Sequence, residues 1–204
     1  MYNVDMDILG TLKTKLKTFL LTLKNEFLTT TILAIAGGAA ICLGTYASRI
    51  CEFPILAPLL FAVGILLVMV FDLGLITRFN PTHTYTSQNL AKLLIILVVN
   101  LITANLLGNL TAITATPPDN LFWFSVLGGI VIGLVSLNHK IATPYKVAVA
   151  LMLMYIFVDL GLPHCVVYAF LGVDFPTLMV VVAGNLVGGM ALNFGFRAIC
   201  KSNK

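Results

Sequence analysis

The chain has 204 residues, 59% of them hydrophobic and only 10% charged, with a mean hydropathy of +1.02. A soluble domain carries about a quarter charged residues, so the composition excludes one and leaves a polytopic membrane protein, with room for roughly six spans of about 20 residues. The formal charge of +4 is better explained by its distribution about a bilayer than by a nucleic-acid partner.

Residues Asp7 to Glu26 have a helical period, with Ile8, Leu12, Leu16, Phe19, Leu20 and Leu23 on one face and lysines on the other. This reads as an amphipathic helix at a membrane interface, a solvated lead-in being the plainer alternative. Span 1 follows over Phe27 to Ser48, where Gly37-Gly38-Ala39-Ala40 and Gly44 let another backbone approach. Span 2 begins after Pro54 and is interrupted from Asp72 to Thr77, before a polar stretch from Arg78 to Gln88. Span 3 covers Asn89 to Ala112, and the loop Thr114 to Asn120 holds Pro117-Pro118-Asp119 without a basic residue. Span 4 is Leu121 to Leu137, and span 5 starts near Pro144 and breaks between Asp159 and His164. Span 6 runs from Phe175 to Phe196, with Gly184, Gly188 and Gly189 on closely spaced turns. The expected organisation is all-α: a cytoplasmic helix over 1–26, a six-helix membrane domain over 27–196 and a cytoplasmic tail over 197–204.

With six spans, eleven of the twelve Lys and Arg fall on one side, and only Arg49 lies opposite. The positive-inside rule then places both termini in the cytoplasm. Trp123 and the tyrosines near span ends fit an interfacial belt. The four cysteines, Cys42, Cys51, Cys165 and Cys200, have no CxxC or metal-ligand spacing and read as small hydrophobes.

Two segments 87 residues apart are alike: Phe71-Asp72-Leu73-Gly74-Leu75-Ile76-Thr77 and Val158-Asp159-Leu160-Gly161-Leu162-Pro163-His164. A second echo, offset by 85, relates Val99-Asn100-Leu101-Ile102 to Gly184-Asn185-Leu186-Val187. Interrupted apolar segments in matching halves point to the site of an inverted-repeat transporter or channel, and here they name Thr77 and His164 as residues facing each other at the midplane. Asp72 and Asp159 are costly at membrane depth, so they are functional candidates, for gating among other roles; equally, each would cap a half-helix at its break. Asn100 and Asn105 read as glue between helices, and His83 and His139 as solvated loop residues.

These segments resemble the formate/nitrite transporter family, pentameric channel-like proteins with an aquaporin-like protomer, helices 2 and 5 broken and cytoplasmic termini. The family's Leu-Phe-Thr at the helix 2 break corresponds to Leu75-Ile76-Thr77. Its helix 5 pattern corresponds to Phe157 and Gly161-Leu162-Pro163-His164-Cys165, and its Gly-Asn-x-x-Gly-Gly to Gly184-Asn185-Leu186-Val187-Gly188-Gly189. An aromatic before the helix 2 break is matched by Phe61. The chain departs in having Pro163 and Gly74 where the family often has acids, and in lacking Lys or Arg from Thr114 to Val126, where the family carries an anion-attracting Lys.

The resemblance implies a homo-pentamer in a cell membrane, of the bacterial inner-membrane type, without cofactor or enzymatic activity. Its partners would be the lipid bilayer, protons and a small weak-acid anion such as formate, nitrite or hydrosulfide. A central imidazole among apolar groups is penalised when charged and so is expected neutral, still able to donate and accept one hydrogen bond each. Phe61 and Phe157 on one side and Leu75 with Ile76 on the other would form constrictions about His164 that exclude hydrated ions. An anion taking a proton near His164 would cross as the neutral acid, with Thr77 orienting the imidazole and Asn185 completing the site from helix 6. The alternatives are a neutral-solute channel of the ammonia or urea kind, or a membrane partner subunit that does not transport. An intramembrane enzyme would need paired carboxylates, a metal cluster or a nucleophile with a base, and Cys165 beside His164 would need a third group to orient it.

Overall fold

The computed structural model describes the backbone of residues 3–137 and 143–202. Its regular elements over this range are all helices: α1 Asn3–Ile50, α2 Leu56–Val70, α3 Ile76–Thr82, α4 Ser87–Gly108, α5 Leu121–Leu137, α6 Thr143–Asp159, α7 Cys165–Phe170 and α8 Phe175–Ser202. Stretches of α1, α4 and α8 are long and apolar enough to cross a membrane, and stretches of α2, α5 and α6 are shorter but equally apolar. Large apolar side chains such as Ile35, Leu94, Leu106, Trp123, Met152 and Phe194 stay exposed on the outside of the bundle, where a bilayer rather than water would be the favourable neighbour.

α1 runs unbroken through residue 26, so the amphipathic stretch and the first span form one helix. Side chains before Asn25 lie outside the described residues, as do His139, Lys140 and the side chain of Cys200. The two interruptions expected from sequence are present: α2 gives way to the short α3, and α6 to the short α7. Each short helix reaches across the molecule. α3 packs on α5 and α8, and α7 packs on α1 and α4, so each lies against helices from the other end of the sequence.

The interruptions have a shared local cause. After α2, Leu73 N–H donates to Val68 O at 3.0 Å, and Asp72 between them has φ 53°. After α6, Leu162 N–H donates to Phe157 O at 3.0 Å, and Gly161 has φ 60°. Both are Schellman-type helix ends, in which a left-handed residue lets the chain turn back on the last carbonyls. Chain then extends through Leu75 and His164, which take nearly the same conformation (φ −123°, ψ 130° and φ −123°, ψ 129°), before α3 and α7 begin.

Small residues let the breaks sink into the bundle. A Cβ on Gly37 would stand 2.3 Å from Gly74 O, and one on Gly128 would stand 2.6 Å from Pro163 O. Gly184, Gly188 and Gly189 of α8 serve packing inside the chain; a Cβ on Gly188, for one, would meet Val126 O of α5 at 2.1 Å.

Candidate functional site

Two asparagines fasten the two breaks by matching hydrogen bonds. Asn100 of α4 accepts from Ile76 N–H at 3.0 Å and donates to Ala34 O at 2.7 Å and Gly74 O at 3.0 Å. Asn185 of α8 accepts from Cys165 N–H at 2.8 Å and donates to Ser125 O at 2.7 Å and Pro163 O at 3.0 Å. Extended backbone at membrane depth must find partners within the protein; one carboxamide per break satisfies two of its groups and ties it to a carbonyl of α1 or α5. Asn185 therefore holds backbone: both of its N–H donors are committed. Asn100, read from sequence only as interhelical glue, does the same work for the other break.

The matching bonds correct the register of the sequence echo. They pair Gly74 with Pro163, Leu75 with His164 and Ile76 with Cys165, and the left-handed positions pair Asp72 with Gly161. Thr77 is thus two residues out of step with His164 as a repeat partner. The two meet nonetheless: Thr77 Oγ1 lies 2.9 Å from His164 Nε2, and both side chains are buried.

The hydrogen-bond pattern assigns the imidazole tautomer. Val166 N–H, which can only donate, points at His164 Nδ1 at 3.2 Å. Nδ1 is therefore the acceptor, and a neutral ring carries its proton on Nε2 and donates it to Thr77 Oγ1. That leaves the Thr77 hydroxyl hydrogen for another acceptor.

The aromatic pair expected near His164 is also present. Phe61 of α2 and Phe157 of α6 stack with ring centroids 5.7 Å apart and planes 4° from parallel. Phe157 in turn meets the imidazole edge-on, with centroids 6.3 Å apart and planes at 77°. On the other side, Leu75 is buried two residues before Thr77. Ile76, also buried, lines neither of the cavities described next and contributes its backbone N–H to Asn100.

Two cavities flank this layer. One, of about 360 Å³, is walled by Leu75, Gly74, Asp72, Arg78, His83 and Lys92 among others. The second, of about 400 Å³, is walled by Phe61, Phe157, Leu162, Tyr168, Ser48 and Arg49 among others. The first touches α1 at Thr30 and Leu33 and the second at Thr45, Ser48 and Arg49, which sets them roughly 20 Å apart along the helix axis. His164 and Thr77 line neither.

The aspartates do not cap the short helices; the residues at those N-cap positions are Leu75 and His164. The Asp72 carboxylate is ion-paired with Arg78, whose Nη1 also donates to Leu73 O at 3.3 Å. Asp159 ends α6 with its side chain exposed. His83, expected to be a solvated loop residue, is exposed as expected and also meets a cavity wall, whereas Arg49 is a candidate the sequence does not single out. His83 stacks on Phe79 with centroids 3.7 Å apart and joins the wall of the first cavity. Arg49 had been noted only as the lone basic residue of its side, which was the available signal. Cys42 and Cys165 are buried free thiols, in keeping with small hydrophobes. Among the described residues no group of three His, Cys, Asp or Glu could hold a metal ion.

No protein-family model matches the sequence, and no curated protein does. Solved structures do match in fold. A pentameric formate channel with formate bound superposes with a TM-score of 0.68 at 17% identity, covering 89% of this chain and 99% of that one. An FNT family ion channel superposes with a TM-score of 0.65 at 15% identity, covering 88% and 92%. The chain is an all-helical membrane protein with the fold of the formate/nitrite transporter channels.

Proposed function

We propose that the chain is a divergent member of the formate/nitrite transporter family and a channel for small monovalent weak acids. In this reading it crosses the cell membrane six times as an inverted repeat, with α2–α3 and α6–α7 as broken spans and both termini in the cytoplasm. It assembles as a homo-pentamer. The observation that carries the reading is the buried Thr77–His164 hydrogen bond of 2.9 Å between two cavities that do not reach it.

A layer made of Leu75 on one face and stacked Phe61 and Phe157 on the other has nothing to replace an ion's hydration shell. A bare anion faces a large desolvation cost there, and a neutral molecule does not. An anion A⁻ in one cavity takes H⁺ from water at its inner end, enters as HA, and returns H⁺ to water in the opposite cavity. Inside the layer, the Thr77 hydroxyl hydrogen gives HA a polar partner in transit, and the His164 Nε2–H holds that hydroxyl in place. Leu75 and the Phe61–Phe157 pair serve as the two constrictions.

Arg49 in the wall of the second cavity supplies a cation that the Thr114 to Val126 segment lacks. This supports an anion over a neutral solute as the species collected. The test is flux into proteoliposomes, read as stopped-flow shrinkage and internal pH, with formate, nitrite, hydrosulfide and urea. Weak-acid flux that rises as external pH falls, with urea excluded, is the expected result. Urea passage without weak-acid flux would make it a neutral-solute channel, and silence with every solute would favour a partner subunit that does not transport.

A further inference from the structure

Asp72 stands where the other half of the molecule has a glycine. Gly161 takes φ 60° at the matching helix end without cost, whereas Asp72 holds φ 53° with a Cβ. A left-handed conformation is costly for an ordinary L-residue, less so for Asp than for most. What Asp72 adds over glycine is a carboxylate. That carboxylate, largely exposed, lies in the wall of the first cavity and binds the Arg78 guanidinium. Lys92, a second cation of the same wall, is also matched, by Glu26 at 3.4 Å.

We propose that Asp72 is a tethered competitor for the arriving anion at the mouth of the first cavity. Its carboxylate presents to Arg78 the chemistry of a formate-like monocarboxylate. A free carboxylate or similar oxyanion reaching Arg78 must displace it or share the guanidinium. Arg78 Nη1 stays anchored on Leu73 O, so the guanidinium remains at the mouth beside Leu75 when Asp72 lets go. The pair thus sets a concentration threshold for anions from the side bearing Lys92 and Glu26. The opposite cavity holds Arg49 and, among the described residues, no acidic one in its wall, so the two faces differ in apparent affinity. This inference rests on the weak-acid reading given above.

The test is the half-saturating formate concentration on each face of oriented proteoliposomes, for the full-length wild type and for Asp72→Asn, Asp72→Gly, Arg78→Gln and the Asp72→Asn/Arg78→Gln double variant. An exposed ion pair is worth a fraction of a kcal/mol to about one. Asp72→Asn and Asp72→Gly should each therefore lower half-saturation on that face by about two- to fivefold and leave the opposite face unchanged. In the Arg78→Gln background, Asp72→Asn should have no such effect. Asp72→Gly suits φ 53° and guards against a folding defect. Unchanged half-saturation in both single variants, or the same gain without Arg78, would overturn the competition. Failure of the weak-acid reading is separate: it shows as absent formate flux in the wild type.

Discussion

Leu75 and His164 hold nearly the same backbone conformation at the two breaks, each directly ahead of the first residue of a short helix and each in a break fastened by an asparagine. One is an apolar residue on a cavity wall, and the other is a buried imidazole. The pseudo-symmetric frame is therefore occupied asymmetrically: the single imidazole finds its partner in Thr77, not in its structural counterpart.

Replacing either fastening asparagine should destabilise the fold to a similar degree. Asn100→Ala and Asn185→Ala each leave one backbone N–H and one carbonyl of the break without their partner, and remove the tie to a helical carbonyl of α1 or α5. Unsatisfied buried groups cost about 1–3 kcal/mol each, so a loss of about 2 kcal/mol or more is expected. Denaturant unfolding in detergent checks this, and a drop well under 1 kcal/mol would show the breaks to be held by something else.

The stacked pair should set the size of solute that passes. Phe157→Ala removes one ring of the 5.7 Å stack and the ring facing His164. Passage of a larger weak acid such as lactate should rise relative to formate in proteoliposomes. An unaltered lactate-to-formate ratio would place the constriction elsewhere.

Arg49 should help collect anions at the second cavity. Arg49→Gln is expected to raise half-saturation for formate on that face, more at low ionic strength than at high, because exposed charge is screened by salt. The same shift at every ionic strength would point to a steric rather than an electrostatic role.

Protonation of His83 should not shape the pH profile near neutrality. Burial is the main cause holding its pKa below the ordinary 6.5, with Arg78 and Lys92 adding to it against the Phe79 carbonyl and Asp72. A lowered pKa keeps the ring neutral at pH 7, so it gains charge only as pH falls below its usual range. His83→Gln should then leave the flux–pH curve unchanged above pH 6.5, as measured with a pH-sensitive dye inside vesicles.

Much of this was legible in sequence because apolar length and glycine-marked interruptions are local signals. The bounds of α5 and the two breaks follow from them, while the Thr77–His164 contact is present although the repeat register that named it is two residues off. Register was misread because Asp-Leu-Gly recurs by composition, while the structural frame follows the left-handed residue. In one half that residue is Gly161 and in the other Asp72, and no residue-type match relates the two. The caps were misassigned for the same reason. The role of Asn100 stayed hidden because its partners Ala34, Gly74 and Ile76 are backbone groups far along the chain, which side-chain identity does not encode. Arg49 and His83 reach the cavities only through the packing of α1 and α3.

The central claim is that the His164–Thr77 pair receives the protonated acid in transit. It is tested most directly by formate flux against external pH in proteoliposomes of wild type, His164→Asn and Thr77→Val. Loss of a buried hydrogen-bonding partner costs about 1–3 kcal/mol, so both variants should be slower by roughly tenfold or more while remaining folded. Wild-type flux should climb as pH falls. Variants that carry formate at the wild-type rate with the same pH dependence would contradict the account.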